Sequence, residues 1–237
     1  QGMLVAFSSA PGTVAPDQVE VLHARLAWLA EAKRYDELVA VATAQQATDA
    51  QHAELLLAAA AMLKASPAHL GAAVKRGQRA AEIAPGSTRA CVALGDLAYE
   101  QGDVEQAEHA YRNALRLDRS QPDALNTLAW ILAEKHGAYA EALAFAREAV
   151  ALRPSDANFR DTLAFILRQT PGGLPEARDE LRRCAALAGT GSALRARSLF
   201  HLAEVCSALN DREPVAGYLN EALATDCTGP GVDNYLH

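Results

Sequence analysis

The chain has 237 residues, half of them apolar and only 5% aromatic, and a formal net charge of −7. It carries no basic run, and this argues against a nucleic-acid partner, whose phosphates must be neutralised to supply most of the affinity. The longest apolar run, Leu55 to Leu63, is about half of what a helix needs to span a bilayer, so no membrane insertion is expected of this chain.

Alanine accounts for 53 residues. It has the highest helix propensity, and its small side chain lets helices approach closely. Glycine and proline are sparse and fall between apolar-periodic stretches. No stretch alternates apolar and polar residues long enough to argue for a sheet. These features predict an all-α chain.

In chain order, residues 1–18 come first. Gln1-Gly2 read as an expression scar, and Leu4-Val5-Ala6-Phe7 lack the basic start and long apolar core of a signal peptide. This stretch is expected to be extended or disordered, or else to add to a groove of this chain or of a neighbour. A degenerate helix pair is predicted from about Val19 to Ala47, turning at Arg34-Tyr35-Asp36-Glu37. A second begins near His52 and closes through Ala73, Ala80 and Pro85.

From Ser87 to Gln121 the pattern is clearest. Leu94, Gly95 and Ala98 share a face of one helix, Gly102-Asp103 breaks it, and Ala107, Tyr111 and Ala114 share a face of the next. Two helices so joined need small residues where their backbones cross, here Gly95 and Ala107. The run Thr127-Leu128-Ala129-Trp130-Ile131-Leu132 then returns 35 residues later as Thr162-Leu163-Ala164-Phe165-Ile166-Leu167. A fixed period of this size marks stacked helix pairs. Turns fall at Gly137, at Pro171-Gly172-Gly173 and at Asn210-Asp211.

This spacing resembles the tetratricopeptide repeat. Leu94-Gly95, Gly102, Ala107, Tyr111 and Ala114 fit that family's pattern. Cys91 and Ala98 depart from it where aromatics are preferred, and Arg119 where proline is. The resemblance covers about Val19 to Thr228, and the wording around Trp130 and Phe165 is similar to bacterial members, several of them in exopolysaccharide or cell-envelope systems. It implies a right-handed α-solenoid of about six helix-turn-helix pairs, spanning residues 19–229, with units near 19–50, 52–86, 87–121, 122–156, 157–190 and 196–229 and a tail at 230–237. It also implies that first helices line a concave groove.

The helical wheel puts Leu125, Leu128, Ala129 and Leu132 on the packed face and Trp130 away from it, at about 100° per residue. Phe165 takes the same slot one unit on. Packed helices lie about 8–10 Å apart, so the two rings are expected to flank one apolar side chain of a ligand. The competing reading buries both rings between units. Asn126 and Asp161 precede the rings by one turn, and Glu134 and Gln169 follow by one turn, with Arg168 adjacent. Matching slots hold Arg89, Asp96 and Tyr99 upstream and Arg197, Phe200 and Glu204 downstream. An aromatic centre rimmed by mixed charges suits peptide binding. The Lys/Asn clamp of repeats that hold chaperone tails is absent, because its slots hold Val92, Asp96, Asn126 and Trp130.

Catalysis, cofactors and metals find no footing. His23, His52, His69, His109, His136 and His201 are scattered, with no acid or nucleophile at a readable spacing. Cys91, Cys184, Cys206 and Cys227 make no C-x-x-C pair and read as small core residues, with a Cys184–Cys227 disulfide left open. They favour a reducing compartment, the cytoplasm; a periplasmic location would require an upstream signal or anchor. The reading is a non-enzymatic scaffold that binds a peptide or helix of a protein partner. The alternatives are a module that self-associates through its open ends, and the repeat arm of a larger cell-envelope, exopolysaccharide or transferase machine.

Overall fold

In a computed structural model, residues 16–44, 50–211 and 215–224 are described. The first fifteen residues, and with them Leu4 to Phe7, lie outside that range, as does the tail 230–237. The described residues form twelve α-helices and one short 3-10 turn, Pro67–His69, with no strand among them. The chain is all-α.

Two units divide it, residues 1–118 and 119–237. In the first, α1 (Pro16–Glu31) pairs with α2 (Tyr35–Ala44), α3 (Ala50–Lys64) with α4 (Leu70–Ile83), and α5 (Thr88–Gln101) with α6 (Val104–Leu117). In the second, α7 (Pro122–His136) pairs with α8 (Tyr139–Leu152), α9 (Ala157–Arg168) with α10 (Leu174–Leu187), and α11 (Ala193–Ala208) with α12 (Val215–Ala224). Each unit is thus a stack of helical hairpins, the construction of an α-solenoid.

Local chemistry sets the helix ends. Ser87, Asp103, Asp156 and Ser192 cap α5, α6, α9 and α11 by accepting a backbone N–H from the first turn. Gly102 ends α5 at φ +84°, a left-handed conformation that costs glycine nothing, and the chain reverses there into α6.

In the first unit Leu26, Leu29, Leu38, Leu63 and Leu97 join one core cluster, with Ala59, Ala60 and Ala73 where the helices approach. Buried Arg76 of α4 donates to the Val39 carbonyl of α2 at 3.1 Å and ties adjacent hairpins together. In the second, Ala164, Leu181, Leu202, Val205 and Cys206 cluster across α9, α10 and α11. Ala142, Ala146 and Ala149 are fully buried along α8. Cys91, Cys184 and Cys206 are buried, as the small-residue reading expects; Cys227, and with it the Cys184–Cys227 pairing, lies outside the described residues.

Candidate partner-binding face

In the second unit the first helices α7, α9 and α11 each turn one face away from their own hairpin partner. Along that face Asn126 and Trp130 stand on α7, Asp161, Phe165 and Arg168 on α9, and Arg197, His201 and Glu204 on α11. Spacings of three and four residues place each set on a single helix side.

The Trp130 and Phe165 rings are half-buried and touch, with centroids 4.8 Å apart and planes tilted by 39°. The expectation of a gap between them is therefore corrected. The side chains lean across the space between the helix axes, so the two rings form one joint surface. Such a pair contributes about 0.5–1.5 kcal/mol beyond the area it buries.

Ion pairs flank the rings on both sides. Arg197 donates to Asp161 at 2.6 Å, and Arg168 donates to Glu204 at 2.8 Å. Both bridges join residues 36 apart, whereas the rings are 35 apart. In that register His201, not Phe200, is the α11 counterpart of Phe165. The reading from spacing missed His201 because the turn before α11 adds a residue. Phe200 stands beside this row, 37% exposed, with its ring edge-on to His201 at 5.7 Å.

His201 Nδ1 lies 2.9 Å from a Glu204 carboxylate oxygen. Burial pushes the imidazole below its usual pKa, and Arg168 adds to this. The Glu204 and Asp161 carboxylates oppose it. Beneath the face, Cys184 donates to the Ala157 carbonyl at 3.1 Å and lies 3.0 Å from the Ser198 hydroxyl. Burial raises its thiol to about 11, so little of it is thiolate near neutral pH. Asn126 is half-buried, and its Oδ1 has no hydrogen-bond partner among the described residues.

The candidates of the first unit do not converge in this way. Exposed Arg89 pairs with Glu54 of α3. Asp96 accepts the Tyr111 hydroxyl at 2.8 Å and so braces its own hairpin. Tyr99 is half-buried near the end of α5. Among the described residues no group of His, Cys, Asp and Glu is placed to hold a metal ion. No described helix is long and apolar enough to cross a membrane.

A family model for the tetratricopeptide repeat matches residues 92–157. Solved structures share the fold. The protein YrrB, titled a tetratricopeptide-repeat protein with an unusual peptide-binding site, is 20% identical over 73% of this chain and 85% of its own, with a TM-score of 0.61. Residues 41 to the end of MamA from Desulfovibrio magneticus RS-1 are 16% identical over 72% and 93%, with a TM-score of 0.63. The pilF product of Pseudomonas aeruginosa is 16% identical over 84% and 88%, with a TM-score of 0.64. A comparison with curated proteins returns no match.

Proposed function

We propose that this chain, whose residues 92–157 match a tetratricopeptide-repeat family model, is a non-enzymatic scaffold that docks a peptide or helix of a protein partner on the α7–α9–α11 face. Repeats of this class present surfaces to protein and peptide partners, and one structural neighbour is titled for its peptide-binding site.

The observation that carries the reading is the Trp130–Phe165 pair. Two large rings stay partly open to solvent on helices whose opposite sides already supply a complete core: Leu125, Leu128, Ile131, Leu163, Ile166 and Leu167 are each 3% exposed or less. Rings that the hairpins do not need for their own core, framed by ion pairs, have the anatomy of a binding hot spot.

The test is capture of partners from source-cell lysate by wild type and by a Trp130→Ala/Phe165→Ala variant whose helicity is first verified by circular dichroism. A protein retained by wild type and lost by the folded variant supports this face. A set of partners indifferent to the substitution removes it.

Self-association is the second reading. It draws on apolar side chains exposed on the terminal hairpins: Val21 at 53% and Trp28 at 54% on α1, and Leu223 at 74% on α12. A molecular mass that stays at the monomer value at every concentration would discard it.

A further inference from the structure

The charges around the ring pair are already spent on one another. Two carboxylates, Asp161 and Glu204, face two guanidiniums, Arg197 and Arg168, in bridges of 2.6 and 2.8 Å. One turn beyond Trp130, Glu134 and Lys135 pair at 3.4 Å. These charges sum to zero. His201, which continues the row of rings, is held toward its neutral form near pH 7 by burial.

This arrangement discriminates between ligands. A cationic side chain set against the rings finds Asp161 and Glu204 each already facing an arginine, and so gains less there than it would from an unpaired carboxylate. An anionic one finds Arg197 and Arg168 each already facing a carboxylate. Either loses its own hydration on docking and is poorly compensated for it. An uncharged side chain removes apolar ring surface from water and leaves both bridges intact.

Resting on the docking role proposed above, we propose that the partner segment accepted by this face anchors on the Trp130–Phe165 pair through an uncharged aromatic or branched aliphatic side chain, and that charges on the segment contribute little to its affinity. The neutrality of the face is what specifies this occupant: a face built for an acidic or basic segment would leave charge of the opposite sign unpaired.

The experiment uses the full chain carrying Trp28→Phe, so that Trp130 supplies the single indole N–H resonance. Residue 28 lies on α1 and is 54% exposed, so the substitution leaves the buried core unchanged. The probes are acetylated and amidated pentapeptides of sequence Gly-Ser-X-Ser-Gly with Phe, Leu, Lys or Glu as X. Phe and Leu peptides are expected to shift the Trp130 resonance in a saturable way, unchanged between about 50 and about 500 mM NaCl, since no charge is there to be screened. Lys and Glu peptides are expected to bind at least about tenfold more weakly, a difference of ~1.4 kcal/mol.

A charged peptide that binds as tightly as the neutral ones overturns the proposal, as do neutral peptides that leave the resonance in place. Silence from the neutral peptides, beside a lysate partner lost on Trp130→Ala/Phe165→Ala, would remove the uncharged anchor and keep the docking face. A lysate partner indifferent to that double variant would remove the docking face itself.

Discussion

Gly95 lies directly under the Tyr111 ring. A Cβ built on residue 95 would sit 2.7 Å from Tyr111 Cε1, closer than carbon atoms approach, while the Tyr111 hydroxyl donates to Asp96 on the same helix at 2.8 Å. The ring is 1% exposed and has no room to move away. Gly95→Leu is therefore expected to overpack the α5–α6 hairpin and to cost about 1–3 kcal/mol, read as a lower urea midpoint. Tyr111→Phe keeps the packing and loses the hydroxyl, at a cost of about 0.5–1.5 kcal/mol. An unchanged midpoint for Gly95→Leu would mean that the two helices do not cross at this residue.

The α9–α10 hairpin holds a charge network with one nearly buried centre. The Glu180 side chain is 7% exposed; it meets Arg160 at 2.5 Å and Arg183 at 2.5 Å. The Arg160 side chain is 12% exposed, and its Nε also donates to the Pro154 carbonyl at 2.8 Å. Removing one partner of such a pair strands the other charge. Glu180→Ala is expected to destabilise by about 3–5 kcal/mol. Arg183 is 61% exposed at its side chain, so Arg183→Ala is expected to stay within about 0.5 kcal/mol of wild type. Chemical denaturation of both variants provides the comparison, and equal losses would contradict the assignment of Glu180 as the centre.

Asp156 opens α9, the helix that carries Phe165. Its carboxylate accepts from Asn158 N at 2.9 Å and from Phe159 N at 3.4 Å. Asp156→Ala leaves these first-turn donors to water and is expected to cost about 1 kcal/mol. The start of α9 should then show faster amide hydrogen exchange than in wild type. Exchange unchanged at residues 158–160 would show that the cap does not hold this end.

The fold was legible in the sequence because its main signals are local. The glycine at 102 acts within its own turn, the small residues at 95 and 107 within one hairpin, and the Thr127-to-Leu132 echo between neighbouring hairpins. The candidate face was less legible, because it depends on relations between helices. Helical spacing gives the angle at which Trp130 and Phe165 leave their helices, but not whether they lean together or apart, and they lean together. One added turn residue before α11 shifts the row from Phe200 to His201. Asp96 takes part in packing because its partner, Tyr111, lies on the neighbouring helix, where a wheel drawn for α5 alone does not show it.

His201 makes the face sensitive to acid. Burial, with Arg168 adding to it, lowers the folded-state pKa below the unfolded value of about 6.5. Between those two values the unfolded chain binds more protons than the folded one, so stability rises with pH through the interval. The contribution is fully present above about pH 6.5 and is lost as pH falls through the folded pKa. Nuclear magnetic resonance titration of the imidazole is expected to give a midpoint below the unfolded value. Urea midpoints compared at about pH 7.5 and about pH 5 are expected to fall less for His201→Gln than for wild type, because this residue then no longer takes up a proton on unfolding. Glu204 counteracts the shift from 2.9 Å away, so Glu204→Gln is expected to lower the imidazole midpoint further. A midpoint at or above that of a free histidine would show that the carboxylate outweighs burial, and the sign of the pH dependence would reverse.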